Sequence, residues 1–297
     1  MACRESSAMV AVALAAFAWG LYWIPLRAMD EVGVTGAWSI TLLFAVPAII
    51  LLPLCLVRWR GLLFGGWRLH VAGFLAGFAM VTYAGSLIYT DVVRALLLFY
   101  LTPIWSTILG RLILGEPITR VRWLTIVLGL LGVAVIVRLE TGFALEFNAG
   151  DWMGLCAGII WALAAVLLNG GGVQNGVDYT ISYFIWGTVA ALLISQIPFE
   201  GAAPPPDWAL VQGVLPWLVP VVLILVIPPA FAIMWGATLV SPGLLAILFM
   251  TEISAGTLTA AIWADEVIGM REIAGIVLVS LAGLLEPVYQ MRKRRSE

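Results

Sequence analysis

Glu252 is the residue in this sequence best placed to do chemistry. It stands near the middle of an apolar run, 241–263, where an acidic side chain costs roughly 2.5–3.5 kcal/mol on insertion scales. A carboxyl kept at that cost faces a bundle interior or water, where it can pair with a substrate amine or carry a proton. The structural alternative is a carboxyl held by the hydroxyls of Thr251, Ser254 or Thr102. Glu116 and Glu266 fall at the ends of apolar runs, so pairing with an arginine or a helix N-terminus is expected of them. Glu286 lies near the end of the last run and is expected to extend toward the interface. Arg94, close to Asp91, reads as an interfacial anchor. With one histidine, His70, and with Cys3, Cys55 and Cys156 at no ligand or disulfide spacing, neither a metal site nor a disulfide is expected. No set of catalytic side chains gathers at either membrane face, so an enzyme is not expected.

Aromatic residues are the second source of chemistry. Of 14 tryptophans, Trp59, Trp67, Trp123, Trp152 and Trp208 sit where interfacial belts form. Others lie within the runs, where their faces can stack on an apolar ligand or contact an ammonium group. The expected substrate wall is Trp19, Tyr83, Phe99, Tyr100, Trp161 and Trp235, together with Glu252. Around Pro103, helical spacing puts Phe99, Thr102 and Ser106 on one face and Tyr100, Pro103 and Thr107 on the next. Pro103 and the pair Pro228 and Pro229 are the expected hinges, because proline removes a ladder hydrogen bond.

These residues need elements to hold them, and composition says in which solvent. The 297 residues are 63% hydrophobic and 11% charged, under half the roughly 25% charge of a soluble domain. The solvent is therefore lipid. Apolar runs between charges and turns number ten: 8–26, 37–57, 69–89, 92–114, 121–139, 151–169, 180–198, 214–237, 241–263 and 271–290. Each approaches the roughly 20 residues a spanning helix needs, and none alternates as a barrel strand would. With the N-terminus in the cytoplasm and one crossing per run, eleven Lys and Arg residues fall inside and four outside, as the positive-inside rule requires. Both termini are thus expected to be cytoplasmic. The basic tail at 291–297 is expected to sit at anionic lipid.

The chain also repeats. A shift of 150 residues lays Tyr83–Leu139 over Ile233–Tyr289 with nine coincidences, among them Leu98/Leu248, Phe99/Phe249, Thr107/Thr257 and Glu116/Glu266. Two halves of five helices, 1–140 and 150–290, must lie in opposite orientations because five is odd. That inverted 5+5 arrangement is typical of secondary transporters. No Walker A pattern is present, and nothing basic and soluble offers a nucleic-acid surface.

Leu114-Gly115-Glu116-Pro117, preceded by Phe99-Tyr100-Leu101-Thr102-Pro103-Ile104-Trp105, resembles the fourth-helix signature of the drug/metabolite transporter superfamily with its EamA-type repeats. Phe249-Met250-Thr251-Glu252 followed by Ala264-Asp265-Glu266 resembles the ninth-helix counterpart. Ile253 replaces the proline of the first repeat, so less bending is expected there. Within the superfamily the chain is similar to the aromatic amino acid exporter branch. The resemblance implies an all-α membrane protein, a basket of ten helices with helices 1, 3, 4, 6, 8 and 9 around a central cavity. It implies export across the cytoplasmic (inner) membrane by alternating access, without a cofactor. Amino acids with aromatic or hydrophobic side chains are the expected substrates, with drugs or toxic hydrophobic cations as the alternative. Sugar phosphates are disfavoured by the scarcity of mid-membrane Lys and Arg. The expected partners are a small solute and lipid, and the expected state is a monomer or weak dimer.

Overall fold

The computed structural model describes residues 2–90, 95, 98–136, 147–169, 175–196, 203–263 and 269–296. Among them every regular element is helical. Five stretches are long and apolar enough to cross a membrane: Arg4–Glu31, Trp67–Ser86, Ala149–Asn169, Gly176–Ser195 and Trp208–Ala237. Shorter apolar helices cover Ala37–Ile50, Pro242–Gly256 and Ile273–Glu286. Large apolar side chains stay on the outside of the bundle, among them Val57 (81% exposed), Leu112 (75%) and Ile224 (75%). Apolar groups in such number on the surface require an apolar solvent. The molecule is a multi-pass membrane protein.

Several runs are interrupted rather than continuous. The first consists of α1 (Ala2–Trp19) and α2 (Trp23–Glu31), joined by a turn at 20–22. The second is split into α3 (Ala37–Ile50), α4 (Leu52–Val57) and α5 (Trp59–Leu63), and the third is the single helix α6 (Trp67–Tyr89). The fourth turns at 100–101 before α7 (Thr102–Leu114). Pro103 has no N–H to offer the Phe99 carbonyl four residues back, and the Thr102 hydroxyl donates to that carbonyl instead. Next come α8 (Arg120–Ile136), α9 (Ala149–Asn169) and α10 (Gly176–Ser195). The eighth run holds α11 (Trp208–Val221), a π-helical segment at Val222–Val226 and α12 (Ile227–Ala237). Its distortion sits just ahead of Pro228 and Pro229, neither of which can donate to the preceding turn.

The ninth run is divided at Met250 between α13 (Pro242–Phe249) and α14 (Thr251–Trp263). The helix is thus interrupted at Met250 even with Ile253 in place of a proline. No proline is needed, because the Thr251 hydroxyl takes the Leu248 carbonyl at 2.8 Å and also reaches the Ala13 carbonyl at 3.2 Å. The last helix is α15 (Met270–Ser296).

Small residues set the closest helix approaches. A side chain at Gly77 would strike the backbone of Gly187, and one at Gly132 the Gly275 carbonyl. Helix α6 packs on α9 and α10, α8 on α15, α3 on α10, α1 on α12 and α14, and α7 on α9 and α13. Asp91, Arg94 and the segment 264–268, with Asp265 and Glu266, lie outside the described residues.

Candidate functional site

One end of the bundle is held by ion pairs. The Arg58 guanidinium at the end of α4 grips Asp178 of α10 with two hydrogen bonds, 2.6 and 2.8 Å. Asn175 caps the same helix by accepting from the amides of Val177 and Asp178. Next to it, Trp235 packs against Gly176, and the Asn169 side chain donates to the Val240 carbonyl at 2.8 Å. Ser241, the N-cap of α13, is reached by Arg122 at 2.9 Å. The same guanidinium donates to Glu286 at 2.9 Å and to Glu116 at 3.2 Å. Arg122 and Glu286 are both buried, so Glu286 does not extend to the interface as expected but anchors α15 to α8. Glu116 does pair with an arginine. Burial raises its pKa from the ordinary 4.5, and Arg122 opposes that rise.

The opposite end has its own contacts, among them the exposed Arg27–Glu31 pair. Asp151 accepts from the Thr90 hydroxyl and the Asn148 amide, and Trp23 donates to Thr259. Arg271 donates to the Val135 carbonyl.

Between these ends lies a cavity of about 730 Å³, including the space at its mouth, a size suited to a small-molecule ligand. Its walls carry Trp19, Tyr22, Phe44, Tyr83, Phe99, Tyr183, Phe184, Phe249 and Glu252, with aliphatic groups between them. Leu26 of α2 and Ile40 of α3 take it toward the end opposite the ion pairs. The helix interruptions at 20–22, 100–101, 222–226 and 250 all fall beside lining residues: Trp19 and Tyr22, Phe99, Val226, and Phe249 and Glu252.

Four of the expected wall residues, Trp19, Tyr83, Phe99 and Glu252, line this cavity. Tyr83 and Phe99 stack at 4.1 Å between centroids. The other three do not line it. Trp161 is fully buried behind Phe249, 5.2 Å from its ring. Tyr100 is buried behind Phe99, with its hydroxyl a neighbour of the Glu252 carboxyl but outside hydrogen-bond geometry. Trp235 sits at the ion-paired end. The hydroxyls expected to hold Glu252 are engaged elsewhere: Thr251 and Thr102 on carbonyls, Ser254 on Ser280.

The sixth run, 151–169, was expected in the wall and supplies no lining residue. The second and seventh runs supply Phe44, Tyr183 and Phe184 instead. Their inward faces could have been suspected only from the aromatic positions; the packing of α3 on α10 decides them.

No curated protein matches the chain. A solved protein crystal structure superposes with a TM-score of 0.68 at 18% identity, covering 95% of this chain and 98% of the other, which shows a shared fold. Residues 6–138 match the EamA-like transporter family, bringing the Phe99–Trp105 and Leu114–Pro117 signatures into one family pattern. Residues 6–138 thus carry the pattern of the EamA-like transporter family, within the drug/metabolite transporter superfamily.

Proposed function

We propose that this protein is a secondary transporter that exports small solutes with aromatic or hydrophobic bodies by alternating access, and that the cavity around Glu252 is its substrate site. The observation that carries the reading is the placement of that cavity. It lies where four runs are interrupted, and one end is closed by ion pairs while the lining runs toward the other. Broken helices at mid-membrane are where transporters bind substrate, since irregular backbone is tolerated only where it lines a cavity or is buried in protein.

Ten crossings in two inverted halves are part of this proposal. Exchanging run n with run n+5 turns several of the helix pairings into one another or into themselves, though α6–α10 finds only a minor counterpart. The α6–α9 pair becomes α12–α1, α7–α9 becomes α14–α1, and α8–α15, α3–α10 and α7–α13 map onto themselves. The breaks at 100–101 and 250 agree with the 150-residue shift that aligns Phe99 with Phe249. Alternate crossings put Arg58, Arg122 and both termini on the cytoplasmic side of the inner membrane. In that orientation the ion pairs close the inner end and the cavity leads outward.

Purified protein in liposomes tests the reading. Labelled aromatic solutes are expected to move, faster when a pH gradient is imposed, and to compete with one another. A chain that reconstitutes in folded form but moves none of them is not the transporter proposed.

A further inference from the structure

We infer that Gly187, which is not among the lining residues, sets the size of solute body that the cavity accepts, by giving the ring of Phe44 its seat in the wall. The inference rests on the reading of the cavity as the solute site.

Phe44 lines the cavity beside Ile40 and Leu43 of its own helix α3, and faces Tyr183 and Phe184 of α10. Its ring centroid lies 5.2 Å from that of Tyr183 and 6.1 Å from that of Phe184, tilted to both. Gly187 follows those two aromatics by four and three positions, so the three share one face of α10. A Cβ added to Gly187 would collide with Cδ1 and Cε1 of the Phe44 ring. The place of the missing side chain is therefore the place the ring occupies.

A methyl group at Gly187 has to be absorbed somewhere, because packed interiors do not compress. Helix α10 cannot yield toward α6, since a Cβ on Gly77 would already come within 2.6 Å of the Gly187 Cα. Tyr183 and Phe184 pack edge to face at 4.9 Å and fill the flanks of the ring. The open space next to Phe44 is the cavity. The ring would turn into it and take the room that a second fused ring of a solute needs. An outward tilt of α3, whose Ile49 is exposed, would instead widen the cavity. The two responses have opposite signs.

Calorimetry on the full chain in detergent reads that sign through two pairs of probes, phenylalanine with naphthylalanine and benzylamine with naphthylmethylamine. Each pair shares its polar head, so the ratio of affinities within a pair reports the body alone. Gly187→Ala should shift the ratio about tenfold against the naphthyl member, toward the low end of what overpacking costs. Phe44→Leu added to Gly187→Ala removes the displaced ring and should restore the ratio. Phe44→Leu alone should move the ratio toward the naphthyl member, and it tests the rule even where Gly187→Ala does not fold. A ratio that Gly187→Ala leaves unchanged or raises, a loss that Phe44→Leu does not relieve, or a ratio indifferent to Phe44→Leu alone overturns the inference. Flux in liposomes keeps the two proposals apart. A shifted binding ratio without movement of any probe sinks the transporter reading alone. Movement of both bodies in a ratio that ignores Gly187→Ala sinks the size rule alone.

Discussion

At the scale of single residues, two kinds of buried charge behave differently. Glu252 faces a cavity and meets only aromatic and neutral polar neighbours, so its carboxyl is available to a ligand. Arg122 is enclosed and fully used, joining Glu116, Glu286 and Ser241. Removing one partner of such a group leaves buried charge uncompensated. Arg122→Met should therefore cost roughly 3–5 kcal/mol, read as a fall in the thermal midpoint of the detergent-solubilised protein. A midpoint equal to wild type would show that the cluster carries no stability.

Glu116 adds a pH dependence. Its carboxyl has a raised pKa in the folded protein, so the folded state binds more protons than the unfolded one between the two values. Its contribution is fully present below pH 4.5 and declines as pH rises through the folded value. Glu116→Gln should flatten the part of the stability curve that lies above pH 4.5, as followed by thermal melts across a pH series.

At the scale of elements, the breaks matter more than the helices. Gly20 ends the first half of its run at a point where an added Cβ would come within 2.6 Å of both the Glu252 carbonyl and Ala255. No side chain fits without moving α14, and α14 carries Glu252. Gly20→Val should therefore weaken solute binding and lower the midpoint. Gly213→Ala, on a helix where nothing lies within 4 Å, should leave binding as it is and slightly favour the helix. Equal effects from the two would show that the close approach at Gly20 has no special role. The paired breaks at 100–101 and 250 also show why a proline search finds only half of such features. Pro103 marks the first, while the second depends on a threonine hydroxyl taking a carbonyl.

At the scale of the whole molecule, the ion-paired end must open if solute is to pass from the other side. A bis-methanethiosulfonate linker, which forms a reducible disulfide with each thiol as methanesulfinate leaves, between Arg58→Cys and Asp178→Cys, with Cys3, Cys55 and Cys156 replaced, would hold α4 against α10 where the ion pair now does. Flux in liposomes should stop when the linker is closed and return when it is cut. Undiminished flux through the linked protein would mean that this end does not gate.

What the sequence determined by itself was whatever depends on local composition. Lipid as solvent, apolar runs, the family pattern of residues 6–138 and the coincidence of Phe99 with Phe249 are all properties of short stretches read in order. The sequence also supplied Glu252 as the residue to watch, because a lone acid in an apolar run is costly wherever it ends up. Tertiary structure alone decided which aromatics share a cavity with it. Trp19, Tyr83 and Phe99 do, Trp161 and Trp235 do not, and Tyr183 and Phe184 join from a helix that was not expected. It also decided that Glu286 is a buried partner of Arg122 rather than an interfacial acid. Both outcomes depend on helix rotation and on contacts between residues more than 100 positions apart, which no local pattern records.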